Sequence, residues 1–567
     1  MVERSRGLGS SPTPSVLCCF LRSSYEVPSL HRSSAVSSVV RPTRPGLSLA
    51  SCRLILTGIT TGHWGTKSIS LSFSRSVQGY MRIRCLLILA ASSAVAFGQL
   101  DSSLKADFST IRQQLRVQVG NDDVPGLAIA VSRGGEKLWE EGFGWGDQER
   151  HVRATQSTPF YVASVTKAFT ATAILHLAER GKLQVDQPAN KYLDGTKIHS
   201  PVWNASEATI RRLLTHTSGL TTFSRWCNTT TDLQCNIDRE IERYGVLVWH
   251  PGGIFDYSNL GYGVLGEIVA NVSGETFDSY LQSTIFRPLR MRNCALPPSK
   301  PATQAAAQYD EKTRRRSMAR VSGHEGASGL RCSADDLLAF GMFQLKDHLS
   351  PDSPLGSRDI DEMHTAQPAT RGHYGMGWWV RQESGLSIIA AEGGTTDAYA
   401  LLELIPAKDI AIAIVANSYS QLVSGLGRQI ISALLPGLTL DEQPRRPDME
   451  KLLPPPHAFV GMWSGEMATY KGPVKVLLNI ASTGGAQSQI ADLPGSTVSD
   501  LSFDHTHFYG HFPGKGGLAD SPDQPFVIEL DLELHGNHLI GAATFGPPPG
   551  KDGDQLPHFI NLAKTRP

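Results

Sequence analysis

Ser164-Val165-Thr166-Lys167 stands at the head of an apolar-periodic stretch. Residues three apart on a first helical turn share a face, so a hydroxyl and an amine at this spacing can meet. A serine hydroxyl is a weak nucleophile at neutral pH and needs an adjacent base, a role a lysine amine can fill. The blander reading is an ordinary helix start with an exposed lysine. A second cluster, Tyr257-Ser258-Asn259, follows His250-Pro251-Gly252-Gly253-Ile254-Phe255-Asp256 in a loop just before another helical stretch. Side chains at i and i+2 of an extended segment point the same way, so the phenol and the amide can enter one cleft. A phenol beside a lysine ammonium is expected to have a lowered pKa, which suits proton transfer. The amide could hold both a substrate carbonyl and the lysine. Alone, this cluster reads equally as a turn with a buried tyrosine.

The surrounding patterns supply elements to hold these groups. Gly126 to Ser132 is apolar and β-prone, Gly134-Gly135 interrupts it, and Lys137 to Trp145 resumes, which predicts a hairpin. Ser164 to Arg180 predicts a helix with a core face at Phe169, Ala173 and Leu177, stopped by Gly181. Gly261 to Ala270 and Ala334 to Leu345 also read as helices. Short apolar runs at Leu386 to Ala391, Tyr399 to Ile405 and Ile410 to Ala416 read as strands, with a turn at Pro406 to Asp409, and Ser418 to Leu435 reads as a helix. Strands at both ends with helices between predict one mixed α/β domain over residues 101–440 whose sheet joins N- and C-terminal segments. Pro444, Pro447 and Pro454-Pro455-Pro456 mark a linker at 441–457. Beyond it, Val474 to Ile480 reads as a strand. Phe526, Ile528, Leu530, Leu532 and Leu534 alternate with their neighbours, and His535 to His538 is a hairpin turn. Residues 458–567 are therefore expected to form a small antiparallel β domain, a barrel among the options. His505, His507 and His511 within it are spaced like scattered strand or loop residues.

The chain has 567 residues and a formal net charge of zero. That length accommodates two or three domains, and no basic stripe points to nucleic acid. Residues 1–80 are rich in Ser, Arg and Pro. They read as a disordered or non-native extension, or as a transit peptide. Met81-Arg82-Ile83-Arg84, the apolar run Cys85 to Val95, and Ala96-Phe97-Gly98 match the three parts of a secretory signal at 81–98. The apolar run is short for a membrane span, which takes about 20 residues. A secreted or periplasmic location follows as an expectation. Cys227, Cys235, Cys294 and Cys332 would remain in the mature chain. Cys227 and Cys235 flank a short polar loop they could close; free thiols are the alternative. Asn204-Ala205-Ser206, Asn228-Thr229-Thr230 and Asn271-Val272-Ser273 fit the N-glycosylation pattern.

In order along the chain stand Ser164-Val165-Thr166-Lys167, Leu213-Leu214-Thr215-His216-Thr217-Ser218-Gly219-Leu220, Pro251-Gly252, and Tyr257-Ser258-Asn259-Leu260-Gly261-Tyr262. Phe286-Arg287-Pro288-Leu289-Arg290-Met291 and Ser328-Gly329-Leu330 follow. Ser-x-x-Lys is the first signature of penicillin-recognising serine enzymes. This ordered set, spanning roughly residues 105–435, resembles the class C β-lactamase-like serine hydrolases: β-lactamases, D-amino-acid peptidases, penicillin-binding proteins and esterases, including the family VIII type. The C-terminal β domain resembles the lipocalin-like appendages of some members.

The resemblance implies a mixed, largely antiparallel sheet flanked by helices, and an acyl-enzyme mechanism with no metal or organic cofactor. It makes Ser164 the nucleophile and Lys167 its activator, alone or jointly with Tyr257. Tyr257 would also donate a proton to the leaving group and activate the deacylating water, and Asn259 would position the substrate and Lys167. The oxyanion hole would use the Ser164 N–H and an N–H of the late strand. His216 would be part of a structural loop. The family's third motif, Lys or His, a small residue, then Gly, is met here by Glu392-Gly393-Gly394-Thr395. On that placement Glu392, Gly394 and Thr395 line the substrate site, with Gly394 leaving room for close approach. Glu392 would then stand where a cation is usual and would repel a substrate carboxylate. It could also pair with Lys167. The expected substrate is a small ester, amide or peptide, with β-lactams and peptidoglycan peptides as the alternative. A catalytically weak binding or sensor protein of the same fold is a third reading.

Overall fold

The structure is a computed structural model of the chain. It describes residues 52–60, 63–71 and 106–566, apart from 120–123, 227–235, 297–302, 312–315, 318–322, 348, 371, 441–453, 515, 519–524, 550 and 552. The signal-like segment at 81–98, the cysteines Cys227 and Cys235, and most of the Pro-rich linker lie outside the described residues. The chain divides into two units, 1–105 and 106–567. In the first, Cys52–Thr60 pairs with His63–Leu71 as an antiparallel two-stranded ribbon.

The second unit contains a seven-stranded sheet built from β1 (Gly126–Arg133), β2 (Glu136–Asp147), β3 (Val152–Arg153), β4 (Trp379–Glu383), β5 (Leu386–Thr395), β6 (Ala398–Ile405) and β7 (Ile410–Ala416). Its order is β3-β2-β1-β7-β6-β5-β4, and every neighbouring pair is antiparallel. N- and C-terminal segments thus share one sheet, as expected, with β1 and β7 at its centre.

Strand β7 explains how this sheet is covered on both sides. Its sequence Ile-Ala-Ile-Ala-Ile-Val-Ala alternates in size rather than polarity. Ile410, Ile412 and Ile414 face helices α1 (Ser109–Gln118) and α5 (Leu426–Leu434), packing with Ile111, Leu115, Ile430 and Ile431. Ala411, Ala413 and Val415 face the opposite layer, which contains α2 (Thr166–Glu179), α3 (Asn259–Ser273) and α4 (Ala334–Gln344). Small residues there let α4 come close: a Cβ on Gly341 would lie 3.2 Å from the Cβ of Ala411. The predicted helix over 418–435 is split, into Gln421–Ser424 and α5.

Helix α2 differs from the expected one-faced helix. Every residue from Thr166 to Leu177 is buried. A helix buried around its whole circumference belongs inside a core, and α2 runs through the helical layer. Cys294 and Cys332 form a disulfide, and Cys332 pairs with Phe160 just upstream of Ser164.

The C-terminal segment is a closed eight-stranded barrel. Its strands are β8 (Gly461–Thr469), β9 (Gly472–Ile480), β10 (Ala486–Ile490), β11 (Ser496–Phe503), β12 (His507–Pro513), β13 (Val527–His535), β14 (His538–Gly546) and β15 (Leu556–Arg566). Each strand pairs antiparallel with the next, and β8 pairs with β15 to close the ring. Alternating residues fill the interior, among them Trp463, Phe503, Phe508, Leu530 and Leu562. This is the up-and-down, eight-stranded arrangement of lipocalin-type barrels.

Candidate active site

Ser164 lies in a tight turn of 3-10 helix, Ala163–Val165, that leads straight into α2. Ala163 has φ 44°, a left-handed conformation that L-residues with a Cβ seldom adopt. The segment Gly326–Leu330 braces this strained turn from the side. Val162 donates to the Leu330 carbonyl at 3.1 Å, and Leu330 N–H donates to Thr166 Oγ1 at 3.2 Å. Thr170 Oγ1 donates to the Gly326 carbonyl at 2.6 Å.

Lys167 is 1% exposed, and its Nζ has three oxygen partners. Asn259 Oδ1 is at 2.7 Å, the Ala327 carbonyl at 3.0 Å and Ser164 Oγ at 3.1 Å. Burial drives the Lys167 pKa well below its ordinary value. A neutral amine has two N–H donors and one lone pair. The amide oxygen and the carbonyl can only accept, so they take both donors, and the lone pair is left facing the Ser164 hydroxyl. The expected Ser164–Lys167 encounter is present, and its geometry suits a base.

Tyr257 and Asn259 arrive from the start of α3. Ser258 is the N-cap, its Oγ accepting from Gly261 N–H at 3.1 Å. This places Tyr257 just outside the helix and Asn259 on its first turn. Asn259 also donates through Nδ2 to the Phe223 carbonyl at 2.9 Å, so both ends of its amide are fixed. Tyr257 lies under Lys167, whose Nζ is 4.7 Å from the ring centroid, and its phenol hydrogen-bonds Ser164. The pKa expected to fall instead rises. Burial raises it most, the bond to Ser164 lowers it, and the Glu392 charge raises it again. No lowering by a Lys167 ammonium offsets these. Burial thus favours the protonated phenol in Tyr257 and the free amine in Lys167.

His216 holds the Tyr257 loop from behind. Its Nδ1 accepts from Ser258 N–H at 3.0 Å, and its carbonyl accepts from Asp256 N–H at 2.8 Å. Its ring centroid is 4.3 Å from that of Tyr257. Burial, and secondarily Lys167, hold its pKa well down. It touches the main chain on both sides of Tyr257.

The late strand runs past Ser164 in a particular register. A Cβ on Gly393 would stand 2.3 Å from the Val162 carbonyl oxygen and 2.6 Å from Ser164 N. On Gly394 the nearest atoms would be 3.9 Å away. The close approach thus falls at Gly393. Ile389 and Ala391 share that face of β5, whereas Ile388 and Ala390 pack with the layer on the other side. Alternation puts Glu392 and Gly394 on that other face. Glu392 accepts from Tyr399 Oη at 3.0 Å, and Thr395 Oγ1 donates to Asp397 at 2.7 Å. Among the described residues Glu392 forms no ion pair with Lys167 or any other cation. Two residues before Gly393 on the same face stands Ala391, which is 2% exposed and carries no charge. Strand β4 pairs with β5 only as far as Ala390, so β5 has an open edge from Ala391 onward.

Ser164, Lys167, Tyr257 and Asn259 therefore converge, while the Glu392 carboxylate is bonded to Tyr399 and its charge reaches the Tyr257 phenol. The residues missed from sequence contribute mostly through main-chain atoms: the carbonyls of Ala327 and Phe223. Ser328-Gly329-Leu330 marked the neighbourhood of the first without disclosing its role.

The antiparallel sheet with helices on both faces and the serine–lysine–tyrosine cluster beside it define a β-lactamase-type fold. The beta-lactamase family model matches residues 111–434, and the chain belongs to that family. PbpX of Bacillus subtilis (strain 168), whose name places it with the penicillin-binding proteins, is 33% identical over 259 residues, 45% of this chain and 62% of that protein. Protein flp of Staphylococcus aureus (strain MRSA252) is 27% identical over 326 residues, 54% of this chain and 63% of that protein. The chain thus spans less than two thirds of the length of these curated relatives. The crystal structure of SurE superposes with a TM-score of 0.55 at 20% identity, covering 83% of this chain and 100% of that one, which shows the shared fold.

Proposed function

We propose that this protein is a secreted serine hydrolase that cleaves an ester or amide bond through an acyl-enzyme on Ser164. The carrying observation is Lys167 Nζ, whose two N–H donors are engaged by Asn259 and Ala327 while it lies 3.1 Å from Ser164 Oγ. The Ser164 proton moves to Lys167 as Oγ attacks the substrate carbonyl. The oxyanion is received by the Ser164 N–H and an N–H on the open edge of β5. Collapse expels the leaving group, which takes a proton from the Tyr257 phenol, and Lys167 reprotonates Tyr257. In the second half water attacks the acyl carbonyl, Tyr257 and Lys167 relay its proton to Ser164 Oγ as the acyl C–O bond breaks, and the acid product leaves with Ser164 restored. Preorganised donors of this kind typically supply about 3–4 kcal/mol of transition-state stabilisation each.

Neutral and amine-bearing substrates suit the cleft better than carboxylates. Neither Ala391 nor Glu392 offers a cation to a substrate carboxylate, and the Glu392 charge is felt as far as the Tyr257 phenol. This ranks β-lactams and peptidoglycan peptides second. The Cys294–Cys332 disulfide supports an extracytoplasmic location, where such bonds persist. Turnover of p-nitrophenyl butyrate against nitrocefin separates the two substrate readings: the ester should be preferred, and a strong preference for nitrocefin would defeat this choice. A protein that turns over neither and leaves Ser164 unlabelled by activated phosphonates would be a binding or sensor protein.

A further inference from the structure

The segment 221–226 lies between the barrel and the catalytic cleft and is hydrogen-bonded to both. On the barrel side, Ser224 and Gln555 exchange backbone bonds, N to O at 3.0 Å and O to N at 2.8 Å. Trp226 N–H donates to Asp554 Oδ1 at 2.9 Å. On the cleft side, the Phe223 carbonyl receives Asn259 Nδ2, and Thr222 Oγ1 donates to the Tyr257 carbonyl at 3.1 Å. Thr221 Oγ1 also donates to Asp256, next to Tyr257. A second route runs beside it. Trp249 packs against Ile540, Ala542 and Phe559 on the outside of the barrel, and its Nε1 donates to Asp256 at 2.8 Å. No barrel side chain in these routes touches Ser164. They end on the main chain of Tyr257 and the amide of Asn259, the groups that set the position of phenol and lysine.

We propose that the barrel is a positioning element of the hydrolase site: its Gly553–Gln555 connection holds segment 221–226, and through it Asn259 and the Tyr257 main chain. This rests on the serine-hydrolase reading above. Asp554 is the positioning side chain, and the Gln555 N–H is the positioning main-chain donor. Misplacing a reacting group by about 1 Å can cost about 100-fold in rate, so a loosened segment should be visible in kinetics while the barrel remains folded.

The experiment uses the full chain. The rate of Ser164 labelling by a fluorophosphonate reports acylation, and p-nitrophenyl butyrate gives kcat and KM. Asp554→Ala removes the acceptor for Trp226, Asp554→Asn restores one, and Gln555→Pro removes the N–H given to Ser224. Gln487→Ala breaks an exposed bond to Thr497 within the barrel and serves as the control for general destabilisation. Asp554→Ala and Gln555→Pro should slow labelling about 10-fold or more with KM within about 3-fold, and Asp554→Asn should recover most of it. Loss of the Asn259 acceptor also destabilises charged Lys167, so the acidic limb of the pH profile should move to lower pH. A folding defect alone would not move it. Labelling at the wild-type rate in both variants, an unmoved limb, or equal slowing in Gln487→Ala overturns the proposal. Failure to label Ser164 in the wild type overturns the hydrolase reading as well, and so is distinguishable from failure of the barrel's role alone.

Discussion

The hydrolase domain and the barrel bury their side chains to different ends. Around the cleft, Lys167, Thr170, His216 and Ser258 are all buried and hydrogen-bonded to one another's neighbourhoods. The barrel interior is mostly apolar, with Trp463, Phe503, Phe508 and Leu530 at its centre. Buried polar groups cost stability unless paired, so the paired ones around Ser164 fit the proposed site. The barrel meets that side with its rim, at Asp554 and Gln555, and with its outer face, at Ile540 and Phe559.

The sharpest way to break this contrast is to remove the base. Lys167→Met keeps an unbranched apolar chain in the core and should lower kcat on p-nitrophenyl butyrate by about 100- to 10,000-fold, with the circular dichroism spectrum unchanged. In the wild type, activity should persist at neutral pH and fall on acidification. In the proposed mechanism Lys167 acts as the free amine, and burial lowers its pKa well below the usual lysine value. An acidic limb missing from the pH–rate profile would argue against it as the base.

A core substitution in the barrel tests the other half. Trp463→Ala should cost about 3–5 kcal/mol in urea unfolding. Activity should disappear at the same urea concentration as the barrel's signal, because the barrel holds segment 221–226. Activity that survives unfolding of the barrel would separate the two regions.

His216→Ala should lower kcat about 10- to 100-fold through the displaced Tyr257 loop. His216→Asn should lose less. Its side-chain oxygen can accept from Ser258, and Asn tolerates the φ of 56° found at this position. Equal losses in the two variants would contradict the positioning role.

The smallest effect lies at the interface itself. Burial, and then the charges of Asp256, Asp504, Glu533 and Glu529, push the Asp531 pKa up to about 7. The folded state therefore binds this proton more tightly than the unfolded state. The stability this provides is fully present below the ordinary carboxylate pKa and is lost as pH rises through about 7. Asp531→Asn should flatten that decline by about 2–4 °C in Tm. An unchanged Tm–pH profile would show that the carboxylate is not constrained at the interface.

Much of the fold and the central residues of the site were legible in the sequence, for local reasons. Ser164 and Lys167 are three apart on one turn, and Tyr257 and Asn259 flank an N-cap, so short-range geometry carries them to one place. The alternation in β13 and the turn at His535–His538 likewise announce a barrel strand pair. The register of β5 against Ser164 was not legible. Glu392-Gly393-Gly394 offers two glycines, and only the structure shows that the close approach to the Ser164 turn falls at Gly393. A shift of one residue moves Glu392 to the other face. The carbonyls of Ala327 and Phe223 carry no side-chain signature at all. The lowered pKa expected for Tyr257 assumed a charged lysine, and the burial that lowers the Lys167 pKa and raises that of Tyr257 is a tertiary effect.

The most direct test is covalent. Treating the protein with a fluorophosphonate and mapping the adduct by mass spectrometry should place it on Ser164, with no adduct and no ester hydrolysis in Ser164→Ala. An adduct on another residue, or hydrolysis undiminished in Ser164→Ala, would contradict the account.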